Sequence, residues 1–73
     1  MTVYSEGEKA LWSAVIVRAI EDYVDTRKSR IAESNRRSAR KWLTSNKMNI
    51  SSFVWASEML GLDVSAVREH LRL

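Results

Sequence analysis

The chain has 73 residues, two glycines, and neither cysteine nor proline. That length allows one domain, and the missing cysteine removes disulfides, thiolate metal sites and thiol catalysis together. The formal net charge of +3 is unevenly spread: residues 1–25 carry Glu6, Glu8, Glu21, Asp22 and Asp25 against Lys9 and Arg18, residues 26–47 carry eight cations against Glu33 alone, and residues 48–73 carry Glu58, Asp63 and Glu69 against Arg68 and Arg72.

Residues 1–7, MTVYSEG, have no period and end in glycine, so they read as a flexible N-terminal arm, with 8–73 as a single helical domain. Val3 and Tyr4 stand out in an arm otherwise suited to water. With Ser5 they are the candidate partner-binding residues, because tyrosine joins apolar area to a polar tip at interfaces. Ser5 and Glu8 also have the spacing of a capping box. A first helix is expected from about Glu6 or Glu8 to Asp25. Trp12, Ile16, Ala19 and Tyr23 form one stripe; Leu11, Ala14 and Val15 widen it, and Val17, Ile20 and Val24 carry it round the far side. So wide an apolar arc predicts a central helix touched by several others. Glu21, Asp22 and Asp25 crowd its C-terminal end, against the helix dipole, so compensation is expected from Arg18 at i,i+4 and from the basic segment that follows.

Thr26 to Ser29 reads as a connector, and a second helix is expected over Ile31–Ser45. Its apolar line is thin: Ile31, Ala32, Ser38 or Ala39, then Trp42 and Leu43. Glu33 and Arg37 are spaced for a favourable pair. The other face carries Arg36, Arg37, Arg40 and Lys41, the candidate contacts to nucleic acid or to an acidic protein surface; the alternative is a solvated face that neutralises the end of the first helix. Trp42 is the only aromatic residue among these cations and is assigned to the core.

A loop at 46–50 follows, with Asn46 as the expected C-cap. Then comes SFVWASEMLGLDVSAVREHL, two short helices across a tight turn. Ser51 or Ser52 is spaced to cap the third helix, which ends at Leu60; Gly61 supplies a positive φ, Leu62 folds back, and Asp63 caps a fourth helix over Val64–Arg72. Ser57, Gly61 and Val67 have the offsets of a helix-turn-helix, with Leu71 taking the inward place that His70 does not fill. The fold class is therefore all-α: a compact four-helix single domain with a helix-turn-helix-like C-terminal half. The three tryptophans, Trp12, Trp42 and Trp55, are expected to supply much of its core.

Nothing in the pattern points to catalysis. His70 is the only histidine and has no nucleophile in an identifiable elbow. No glycine-rich loop is spaced to cradle a phosphate, and the carboxylates lack the glycine turn and histidine of a metal cage. No enzyme activity, cofactor or metal is expected. Without a signal pattern or an apolar run of about 20 residues, the chain reads as intracellular and off the membrane. Two binding functions fit. One is a DNA-binding regulator that places the fourth helix in a major groove, offering Ser65, Arg68 and Arg72; against it, Asp63 and Glu69 share that helix and the positive charge lies on the second. The other is a protein-binding regulator that uses the helices as a rigid body.

The segments LWSAVIVRAIEDY, SARKWLTS and SFVWASEMLGLDVSAVR resemble small phage and prophage proteins that share ARxWL, then a phenylalanine and a tryptophan, then LGLD followed by VR. The resemblance covers most of the chain after residue 8 and points to the transcription regulators of lytic Xanthomonas phage that bind host RNA polymerase. It implies action in the cytoplasm of the infected bacterium, where the chain is expected to be a monomer. Its partner would be the β′ subunit near its N-terminus, its effect inhibition of initiation at host promoters and suppression of termination. Trp42, Phe53, Trp55, Gly61 and Val67 carry over as fold. In that setting the basic segment would lie near nascent RNA or upstream DNA.

Overall fold

Each helix begins at a short polar side chain that accepts a hydrogen bond from its first turn. In the computed structural model, which describes residues 5–73, α1 spans Glu6–Val24, α2 Arg30–Thr44, α3 Phe53–Leu60 and α4 Val64–His70. Ser5 Oγ accepts from the Glu8 N–H at 3.1 Å, Ser29 Oγ from Ala32 at 3.0 Å, Ser52 Oγ from Trp55 at 3.1 Å and an Asp63 carboxylate oxygen from Ala66 at 3.1 Å. Each such cap contributes about 1 kcal/mol relative to alanine. No strand occurs among the described residues.

The α3–α4 corner closes as its residues predict. Gly61 is left-handed at φ 73° and its N–H returns to the Glu58 carbonyl, while the Leu62 N–H donates to the Ser57 carbonyl at 2.8 Å. These two bonds make a Schellman end, which satisfies carbonyls that α3 would leave open. A β-carbon placed on Gly61 would meet nothing within 4 Å, so glycine is required there by backbone conformation and not by space. Ser57 is fully buried, and Val67 and Leu71 are half-buried against the core, while His70 points to solvent. The corner is compatible with a helix-turn-helix.

Along α2 and α3 lies α1, and α3 also touches α2 and α4. The centre is Ile16, Leu43, Phe53 and Ala56, with Ala32 and Ala39 letting α2 approach closely. The tryptophans surround this centre and are each half-buried. Trp12 meets Trp55 edge to face with centroids 5.2 Å apart, and Trp42 packs on Phe53 at 5.4 Å. A chain this short has too little interior to enclose three indoles completely.

Five local expectations change. The far side of α1 is covered only in part: Ile20 packs against the core, whereas Val17 and Val24, with Leu11, remain more than half exposed, because α2 and α3 pack on the opposite face. Ile31 lies 75% exposed beside the N-cap; of the two residues offered for the middle of the inner line of α2, it is Ala39 that is buried. Leu62 is 41% exposed, since the turn that frees its N–H for Ser57 directs much of the side chain outward. Ser45, not Asn46, caps α2, and α4 ends at His70, two residues early, where Arg72 has turned left-handed at φ 59°.

Candidate functional site

The structure divides the predicted site residues. Val3 and Tyr4 lie outside the described residues. Ser5 has its hydroxyl committed to the cap of α1. Arg36, Arg37 and Arg40 flank a shallow groove of about 560 Å³ with Tyr23 and Glu33, while Lys41, one turn on from Arg37, lines a second groove with Ser38 and Trp42. Glu33 and Arg37, spaced for an ion pair, do not form one. Both are exposed, where holding two long side chains together gains little.

Arg36 belongs to a clasp at the end of α1. Its Nε donates to the Asp25 carbonyl at 2.8 Å and its Nη2 to the Arg27 carbonyl at 3.0 Å. Arg27 in turn grips the Asp25 carboxylate through Nε and Nη2, at 2.9 and 2.6 Å to Oδ2, and its backbone N–H donates to Oδ1 at 2.9 Å. The Arg27 side chain first, and its backbone N–H second, hold the Asp25 carboxyl down to about 2, from an ordinary 3.8; the same contact raises Arg27. Arg18 pairs with Asp22 at 3.3 Å. The expected compensation of the acidic helix end is present, and it draws Arg36 out of the free cation set. Arg37, Arg40 and Lys41 remain exposed.

Arg68 does for α2 what Arg36 does for α1. From α4 its Nε donates to the Leu43 carbonyl at 2.8 Å, its Nη2 to the Ser45 carbonyl at 2.8 Å and its Nη1 to Asn46 Oδ1 at 3.0 Å, with the guanidinium 5.5 Å from the Phe53 ring centroid. A cation at a helix C-terminus is favoured by the dipole and satisfies open carbonyls. This corrects the expectation that Arg68 faces outward for DNA. Ser65 and Arg72 are exposed on that segment, together with Asp63 and Glu69.

Two surfaces escaped the sequence reading. One is the outer face of α1, where Ala10, Leu11, Ala14, Val17 and Val24 are all exposed. Positions 10, 14, 17, 21 and 24 alternate by four and three; Ala14, Val17 and Val24 of this line were absorbed in the sequence into the wide core arc, and Glu21 into the acidic helix end. The other is a groove of about 370 Å³ where α2 meets the 45–52 loop, lined by Ser38, Lys41, Trp42, Lys47, Asn49 and Ser51 among others, none of them acidic. The Trp42 Nε1–H donates to the Ser51 carbonyl at 3.0 Å. Among the described residues there is no group of three or more acidic or histidine side chains placed to hold a metal ion, and no helix is long and apolar enough to cross a membrane. Comparison with protein-family models, with curated proteins and with solved structures finds no match.

Proposed function

We propose that this chain is a small transcription regulator that binds bacterial RNA polymerase and acts without a reaction of its own. The observation that carries a protein-binding role is the solvent face of α1: Leu11, Val17 and Val24 are 57%, 53% and 55% exposed, with Ala10 and Ala14 between them. An apolar strip of this length, interrupted by Glu21 between Val17 and Val24 and flanked by Arg18, is what a protein partner covers. The identity of the partner rests on the resemblance carried by SARKWLTS and SFVWASEMLGLDVSAVR, which points to the β′ subunit near its N-terminus. On this reading the chain works as a monomer in the cytoplasm of a phage-infected cell, with Val3 and Tyr4 as additional contacts. It inhibits initiation and suppresses termination by favouring one polymerase state, for which about 1–3 kcal/mol of differential affinity suffices. The DNA-binding alternative loses support, because Arg68 is committed to the end of α2.

Gel filtration and interferometry with purified bacterial polymerase test this. The wild-type chain should form a stable complex. Val17→Glu should weaken it about tenfold or more by placing a charge in the covered strip, while leaving the melting curve unchanged. A chain that fails to bind polymerase but shifts a DNA duplex with sequence preference would replace this reading with the helix-turn-helix one. Undiminished binding by Val17→Glu would move the contact away from α1.

A further inference from the structure

We propose that the groove beside Trp42 binds single-stranded nucleic acid, with a base laid on the indole and the neighbouring phosphates held by Lys41 and Lys47. The floor is prepared in advance. Trp42 is half-buried, its Nε1–H is held by the Ser51 carbonyl at 3.0 Å, and its ring rests against Phe53 with centroids 5.4 Å apart. An aromatic face already fixed from its edge and from one neighbour has little freedom left to lose on stacking.

The rim matches the rest of a nucleotide. Lys41 and Lys47 supply two cations, Ser38, Asn49 and Ser51 supply short polar groups, and no carboxylate lines the groove. Its volume of about 370 Å³ lies in the range of small-molecule sites. Ser51 adds an independent sign. It holds φ at 74°, a left-handed conformation uncommon outside glycine, and its carbonyl is the one that fixes the indole. Beyond the groove, Arg30, Ser34, Arg37 and Lys41 are all exposed along the outward side of α2. They form a stripe of about 16 Å along which a strand backbone can continue.

Single-stranded nucleic acid is the class that uses all of these features. Base–aromatic stacking and phosphate–cation contacts together are how such strands are held without sequence preference. A duplex keeps its base faces inside the stack, and an acidic protein surface would engage the lysines and leave the indole idle. The inference stands apart from the polymerase reading, since it requires binding by the chain alone.

Anisotropy of a labelled oligouridylate of about twelve nucleotides, titrated with the whole chain at low and at physiological salt, measures the affinity. Nitrogen-15 spectra of the same titration report on the Trp42 indole N–H and on the Lys47, Asn49 and Ser51 amides. The oligomer should bind, weaken steeply with salt, and shift the Trp42 indole resonance more than those of Trp12 and Trp55. Lys47→Glu should lower affinity about fivefold or more, and Lys28→Glu, an equal charge change on the α1–α2 connector, less than about twofold. Absence of binding at low salt overturns the proposal. So does binding without movement of the Trp42 indole, or equal loss in the two variants. A duplex or an oligoglutamate peptide bound as tightly as the single strand would also overturn it.

Discussion

Replacing Arg68 with alanine removes three side-chain hydrogen bonds at once, to the Leu43 and Ser45 carbonyls and to Asn46 Oδ1, and takes the guanidinium charge away from the end of α2. Hydrogen bonds from a charged donor contribute about 1.5–3 kcal/mol each in isolation. Carbonyls at a half-exposed helix end partly rehydrate, so the three do not add fully. Loss of the dipole interaction costs about 0.3–1 kcal/mol and loss of the contact with the Phe53 face about 0.5–1 kcal/mol. We expect a net destabilisation of about 2–4 kcal/mol. For a chain of 73 residues the whole folding free energy is on the order of 4–11 kcal/mol, so this one arginine holds a large share of it. The melting temperature should fall by about 8–32 °C, at about 4–8 °C per kcal/mol. Arg68→Lys keeps the charge but not the planar fork that reaches three acceptors, and should recover less than half of the loss. Urea and thermal unfolding followed by circular dichroism measure both variants. A loss below about 0.5 kcal/mol for alanine, or full recovery by lysine, would refute the clasp as a determinant of stability.

The remaining stability predictions concern one buried hydroxyl and one carboxylate. Ser57 is fully buried and its Oγ has no hydrogen-bond partner among the described residues, so Ser57→Ala should raise stability by about 1 kcal/mol in a thermal melt; a lower melting temperature would show that the hydroxyl is satisfied in solution. The Asp25 carboxyl is held near 2 instead of 3.8. Its contribution to folding is therefore complete above the unfolded value and is lost as the pH falls toward the folded one. Wild-type stability should drop more steeply than that of Asp25→Asn between about pH 4 and pH 2, and parallel pH profiles in urea unfolding would refute the Arg27–Asp25 grip.

Much of the fold was legible because its signals are local. Serine or aspartate before an apolar run, and glycine after one, marked where helices start and stop, since a capping bond spans only three residues and a left-handed turn only one. Gly61 and Asp63 set the α3–α4 corner for that reason, and all four helices were foreseen. The apolar line of α2 through Ala32 and Leu43 was legible in the same way. Trp42 was placed correctly against the core, but its role as the floor of a groove was not visible.

The sequence by itself determined four helices, the start caps of α1, α3 and α4, and a basic middle segment; the Ser29 cap of α2 came only with the structure. Tertiary structure alone decided which side chains are left for function. Arg36 reaches back to the end of α1, 11 residues away, and Arg68 reaches the end of α2, 25 residues away. Both cations are consumed by backbone carbonyls at and just beyond helix ends, whose positions no local pattern reveals. The outer face of α1 is free because its neighbours all pack on the opposite side. The Trp42 groove exists because the 45–52 loop folds back and hands the Ser51 carbonyl to the indole. Helix boundaries follow from contacts within a turn, whereas exposure and charge availability follow from contacts across the chain, and those are decided only when the helices meet.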